Sequence, residues 1–259
     1  RISNIESVLG GAGTDAVTFA GGGELVVSQV ETVIGGATVD SVSMLGAGTM
    51  AVSSIESVVG TTGGSDDALR LLGAGTVSVS DIESLLGSTG TDTVALIASD
   101  NVSVSNIETL IGADGTDVVK MLGSGGTMAV SAVETVQGSA TGTSDVIRTL
   151  GGGALTVSQV ETILGTAASD DAVTALSAGT MGVSALESVQ GTSGTDVVRM
   201  LGGDSTSISA IETVLGSGGT DTVTMINAGT LTASAVESVV GSDSLVTNDV
   251  LNLLGGGTT

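Results

Sequence analysis

Twenty carboxylates recur at regular spacing along this chain. Asp15, Asp40, Asp67, Asp92, Asp117, Asp145, Asp171, Asp196, Asp221 and Asp249 form one series, with Asp66 and Asp170 as alternatives at two of its places. Glu6, Glu31, Glu56, Glu83, Glu108, Glu134, Glu161, Glu187, Glu212 and Glu237 form the other. Five of the Asp close a stretch of the form G-x-x-G-T-D, such as Gly216–Asp221. Glycine-rich turns expose backbone carbonyls, and calcium takes six to eight oxygens from carboxylates and carbonyls. The Asp series is therefore the candidate metal site, and calcium the candidate cofactor. The competing reading has each Asp bonding the amides of its own turn, as Asx residues do. For the Glu series the simplest reading is a solvated corner carboxylate, screened by salt. It would accept a bond from the Ser or Thr that follows; cation bridging is the lesser reading.

Other chemistry is scarce. The chain has no His, Cys, Tyr, Trp or Pro, so it lacks the common bases and nucleophiles. Its acids recur alike in every copy, whereas an active site departs locally from a repeat. No aromatic platform is present to hold a sugar. An enzyme is not expected. With 28 acids against 5 bases the net charge is −23, which disfavours nucleic acid and anionic membranes and favours cations. Four of the bases, Arg70, Lys120, Arg148 and Arg199, stand three residues after the repeat Asp. They are expected to point outward and offset part of the charge. Docking to an acidic neighbour is the sharper reading.

The elements that must position these residues come from the repeat. Nine intervals from Glu6 to Glu237 average about 25.7 residues. A Ser lies three before every Glu and a Gly four after it: Ser53 and Gly60 flank Glu56. Each copy holds three short apolar stretches, as in DSVSML (40–45), MAV (50–52) and IESVV (55–59). Two-residue alternation and Val, Ile and Thr enrichment make them strands. The residue before Glu is always Ile, Val or Leu. The second residue after Glu is always Val, Ile or Leu. The fourth before is Val or Ile, apart from Ala233. The odd gaps between these places predict corners at the Ser and at the Glu–Ser/Thr pair. Residues 1–259 thus read as a single repeat array. It is all-β: a right-handed parallel β-helix or β-solenoid of about ten coils, with three short strands per coil. Ten coils at ~4.8 Å would span roughly 48 Å and stack like charges as close neighbours. Neither end reads as a cap, so an internal segment of a longer array or an end-to-end stacking unit is expected.

The turn GGAGTDAVT at 10–18 resembles the nonapeptide of RTX (repeats-in-toxin) β-rolls, with looser matches at 87–95, 112–120, 191–199 and 216–224. The resemblance touches every copy but only a third of each, and the V-S-x-I-E-S/T-V segment departs from it. What it implies is a right-handed calcium-binding roll in secreted bacterial proteins exported by type I secretion. With the repeat, it points to a structural rod of an extracellular surface protein: a fibre, S-layer or adhesin stalk stiffened by calcium. Its partners would be copies of itself or adjoining coils of a longer chain. The alternative is a calcium-gated folding module that serves secretion. A remote alternative, an ice-binding solenoid, rests on Thr93, Thr222 and Thr224.

Overall fold

A computed structural model describes residues 1–63, 66–98, 100–123, 125–140, 144–167, 170–243 and 248–254. None of them is helical. Each copy supplies three strands, as its apolar stretches predict. In the second copy these are Asp40–Met44, Thr49–Ser53 and Ser57–Val59. Asp40, Val42 and Met44 point inward while Ser41 and Ser43 stand between them, which is the alternation of a half-buried strand. Three kinds of link join the strands. A long glycine-rich turn precedes the Asp strand, a short turn follows it, and a tight corner leads into the Glu strand.

The chain forms two compact units, residues 1–122 with 130–133 and residues 123–129 with 134–259. In the first unit one sheet takes, in order, Ser7–Leu9, Gly23–Ser28, Asp40–Met44, Ser57–Val59, Gly75–Ser80, Asp92–Leu96 and Thr109–Ile111. The other takes Ala16–Thr18, Thr32–Ile34, Thr49–Ser53, Ala68–Leu71, Ser84–Leu86, Asn101–Ser105 and Val118–Met121. All neighbours are parallel: Val42 lies between Leu25 and Val58. The second unit repeats the arrangement with fourteen strands from Thr135–Gln137 to Val250–Leu253.

Successive strands alternate between the sheets, so a coil has two strands. This corrects the expected three strands per coil. Fourteen strands at two per coil make seven coils in each unit and about fourteen in the chain, not ten. One copy, with three strands, winds through one and a half coils. The physical reason lies in the core. Val, Leu, Ile and Met, with Phe19 the one ring, fill a thin space, and two facing sheets close over it. Val33, Val42, Met50, Val58 and Ile82 are fully buried there. In the first and last coils the same core places are open, with Ile5 44% and Leu253 48% exposed.

The half-integer winding also corrects the expected charge columns. Glu6, Glu56 and Glu108 enter strands of one sheet; Glu31 and Glu83 enter strands of the other. Like Glu residues on one edge are thus three strands apart, about 14 Å rather than about 4.8 Å. Their repulsion falls from about 0.9 to about 0.3 kcal/mol in water, before salt screens it further.

The tight corner explains the odd gaps. The residue after the marker Ser has a left-handed backbone in all ten copies, with φ from 51° to 56°. These residues are Asn4, Gln29, Ser54, Asp81, Asn106, Ala132, Gln159, Ala185, Ala210 and Ala235. One such residue breaks the alternation, so the aliphatic that follows turns inward again. The first corner therefore sits one residue beyond the Ser, and a second bend falls at the Glu itself in eight copies, such as Glu56 and Glu83, just before the strand begins.

Candidate functional site: the carboxylate corners

On each edge the three link types stack in rotation: short turn, long turn, tight corner. The third copy's Asp shows what this builds. Asp67 Oδ2 accepts the Thr61 amide at 2.6 Å and the Thr61 hydroxyl at 2.7 Å, both from its own long turn. Its Oδ1 accepts the Gly48 amide from the short turn of the preceding coil, at 3.1 Å. The Asp67 amide donates to Glu83 Oε2 in the tight corner of the following coil, at 2.7 Å. The Asp67 carbonyl in turn accepts the amides of Glu83 and Ser84, each at 3.1 Å. A single Asp thus ties three coils together, with the Glu as its reciprocal partner.

The pattern holds along the chain. The first residue of each long turn donates its amide to the Asp carboxylate in every copy. The pairs are Gly11 with Asp15, Gly36 with Asp40, Thr61 with Asp67, Ser88 with Asp92 and Ala113 with Asp117. Ser139 pairs with Asp145, Thr166 with Asp171, Thr192 with Asp196, Ser217 with Asp221 and Ser242 with Asp249. A short-turn amide reaches the other oxygen of Asp40, Asp67, Asp117, Asp196, Asp221 and Asp249. Among the described residues the buried Oδ1 atoms of Asp92, Asp145 and Asp171 have no hydrogen-bond partner. Of the two alternatives, Asp66 and Asp170 are exposed and stand beside the corner residues Asp67 and Asp171. Seven of the ten Asp are fully buried: Asp40, Asp67, Asp92, Asp117, Asp145, Asp171 and Asp221.

The Glu bonds follow one rule. Glu31, Glu56, Glu83, Glu108, Glu161, Glu187, Glu212 and Glu237 each accept the amide of the Asp sixteen residues earlier, at 2.7–2.8 Å. Each of these Glu is exposed or half-buried, as a solvated corner carboxylate predicts, but its donor is not the Ser or Thr that follows. Its actual partner lies a coil away, where sequence proximity gives no signal.

Sequence reasoning also missed what the marker Gly does. Its amide donates to the carbonyl of the next copy's marker Ser, as from Gly60 to Ser80 at 2.9 Å. Its α-carbon faces the carbonyl of the left-handed residue. A β-carbon on Gly60 would lie 1.8 Å from the Asp81 oxygen. At the other marker Gly from Gly10 to Gly216 the corresponding distance is 1.6–2.0 Å. The signal was visible: ten Gly at a fixed offset mark a close backbone approach.

The donors around the Asp carboxylates are amide and hydroxyl hydrogens. Hydrogen donors aimed at a carboxylate compete with a cation, and calcium needs further oxygens. Among the described residues no three acidic side chains gather into a group that would hold a metal ion. The donor set does not fit calcium. Arg70, Lys120, Arg148 and Arg199 are exposed on the sheets' outer faces, as their spacing predicts. One acid outside the series is perturbed. Burial raises the Asp100 carboxyl above its ordinary value, and the charges of Asp81 and Glu83 add to the rise. Amide bonds from Ile82 and Asn101 oppose it.

This fold and this recurring corner define a β-solenoid repeat protein whose acids serve its backbone. Compared with protein-family models, curated proteins and solved structures, the chain matches none.

Proposed function

We propose that the chain is a structural spacer: a stiff β-solenoid segment of a secreted bacterial surface protein, with no catalytic role. One observation carries the reading. The same carboxylate corner recurs in copy after copy, and its acids are spent on backbone amides rather than held for a substrate. A protein whose recurring elaboration, among the described residues, is the joint between coils suits mechanical continuity. The RTX-like turns support an extracellular setting. Its partners are further coils of the same repeat, from an adjoining stretch of chain or a second copy. Antibody raised against the chain should label intact cells of its source. Labelling that appears only after the cells are permeabilised would overturn the surface assignment.

A further inference from the structure

We infer that the Asp corners are metal-free clasps, and that the array folds without the calcium that its glycine-rich turns would suggest. The inference stands apart from the spacer role, which a calcium-bound array could also serve. A bound calcium must draw carboxylate and carbonyl oxygens into one shell. At Asp40 one oxygen accepts the Gly36 amide and the other the Gly23 amide. The Asp40 amide is held by Glu56 Oε2 at 2.7 Å. The backbone presents hydrogens to the acid where a calcium turn would present oxygens.

The loop departures fit this exchange. The residue that opens the long turn is Ser or Thr in seven copies, for example Thr61, Ser88 and Thr192. Its hydroxyl adds a second donor to the same Asp oxygen, at 2.7 Å for Thr192 with Asp196. In this orientation the hydroxyl gives its hydrogen to the carboxylate and so offsets the acid's charge from within the turn. It is of direct use to a carboxylate that stands where the cation would have stood. The partnerless Oδ1 atoms of Asp92, Asp145 and Asp171 each supply one oxygen of the six to eight calcium requires.

The test is circular dichroism, thermal melting and titration calorimetry on the full chain. It is run in EGTA, in calcium chloride and in magnesium chloride at matched ionic strength. The expected result is a β spectrum in EGTA and no saturable calcium heat. A melting shift that magnesium reproduces equally also supports the inference, as screening of the net charge of −23. Loss of the β spectrum in EGTA, or saturable calcium binding at several sites per chain, overturns it. Asp40→Asn supplies a second readout. It turns an acceptor into a group with its own hydrogens, so melting should fall equally in EGTA and calcium. A fall seen only in calcium overturns the inference.

Discussion

Gly60→Ala is the sharpest probe of the joint between coils. The new methyl would sit 1.8 Å from the Asp81 carbonyl oxygen and 2.9 Å from Asp67 Oδ2. Ordinary contact begins at 3.4 Å, so the neighbouring coil would have to retreat by 1.6 Å. The first opposing atom is backbone, and the second is a buried carboxylate oxygen held by the Thr61 amide and hydroxyl, so neither gives way easily. The retreat stretches the Gly60–Ser80 bond and the charge-assisted Asp67–Glu83 bond beside it. Overpacking costs about 1–3 kcal/mol. The two weakened bonds add about 2 kcal/mol. The expected loss is about 3–5 kcal/mol. Gly46→Ala is the matched control. Nothing lies within 4 Å of its β-carbon site and its φ is not left-handed. It should gain about 0.4–1 kcal/mol by restricting the unfolded chain. Urea unfolding followed by circular dichroism compares the two. Amide exchange around the corner detects a loss confined to one coil. Two variants within about 1 kcal/mol of each other would refute the close-approach argument.

Two further predictions concern the corner and its surroundings. Replacing Ala132, Ala185, Ala210 and Ala235 by Gly removes β-carbons held at φ of 51–52°. Each should stabilise by about 0.5 kcal/mol once the freer unfolded chain is allowed for. The same change at Asn106 should do nearly nothing, because Asn tolerates the left-handed region; a uniform loss at the four Ala sites in thermal melts would contradict this. For Asp100 the folded carboxyl binds its proton more tightly than the unfolded one. Its ionisation therefore costs stability as pH rises from the ordinary 3.8 through the raised value. Asp100→Asn should raise the melting temperature at pH 7 and lose that advantage well below pH 3.8; a lower melting temperature at pH 7 would refute the assignment.

The strands were legible because alternation is a local property. Asp40, Val42 and Met44 read as one face of a strand without knowledge of any neighbour. Coil closure was not legible in the same way. The repeat gives the order of strands but not which strands lie side by side. The parity shift at −4, −1 and +2 was visible as odd gaps. Its cause was hidden, because the left-handed residues are Ala, Gln, Asn, Ser and Asp rather than Gly. The Asp bonds to its own turn were within reach of the sequence, being only four to seven residues long. The Glu bond was not, because its donor sits sixteen residues back in the preceding coil.

The odd number of strands per copy sets a rule for how such an array can grow or shrink. Inserting or deleting a single copy adds or removes one and a half coils. Every later strand then changes sheets, and every later Arg or Lys moves to the opposite face. Arg70 and Lys120 share a face because two copies, or three full coils, separate them. Only changes by pairs of copies leave the downstream surface facing its original way. Length in this architecture is therefore inherited in even steps wherever one face matters, and in single steps only where both faces serve equally.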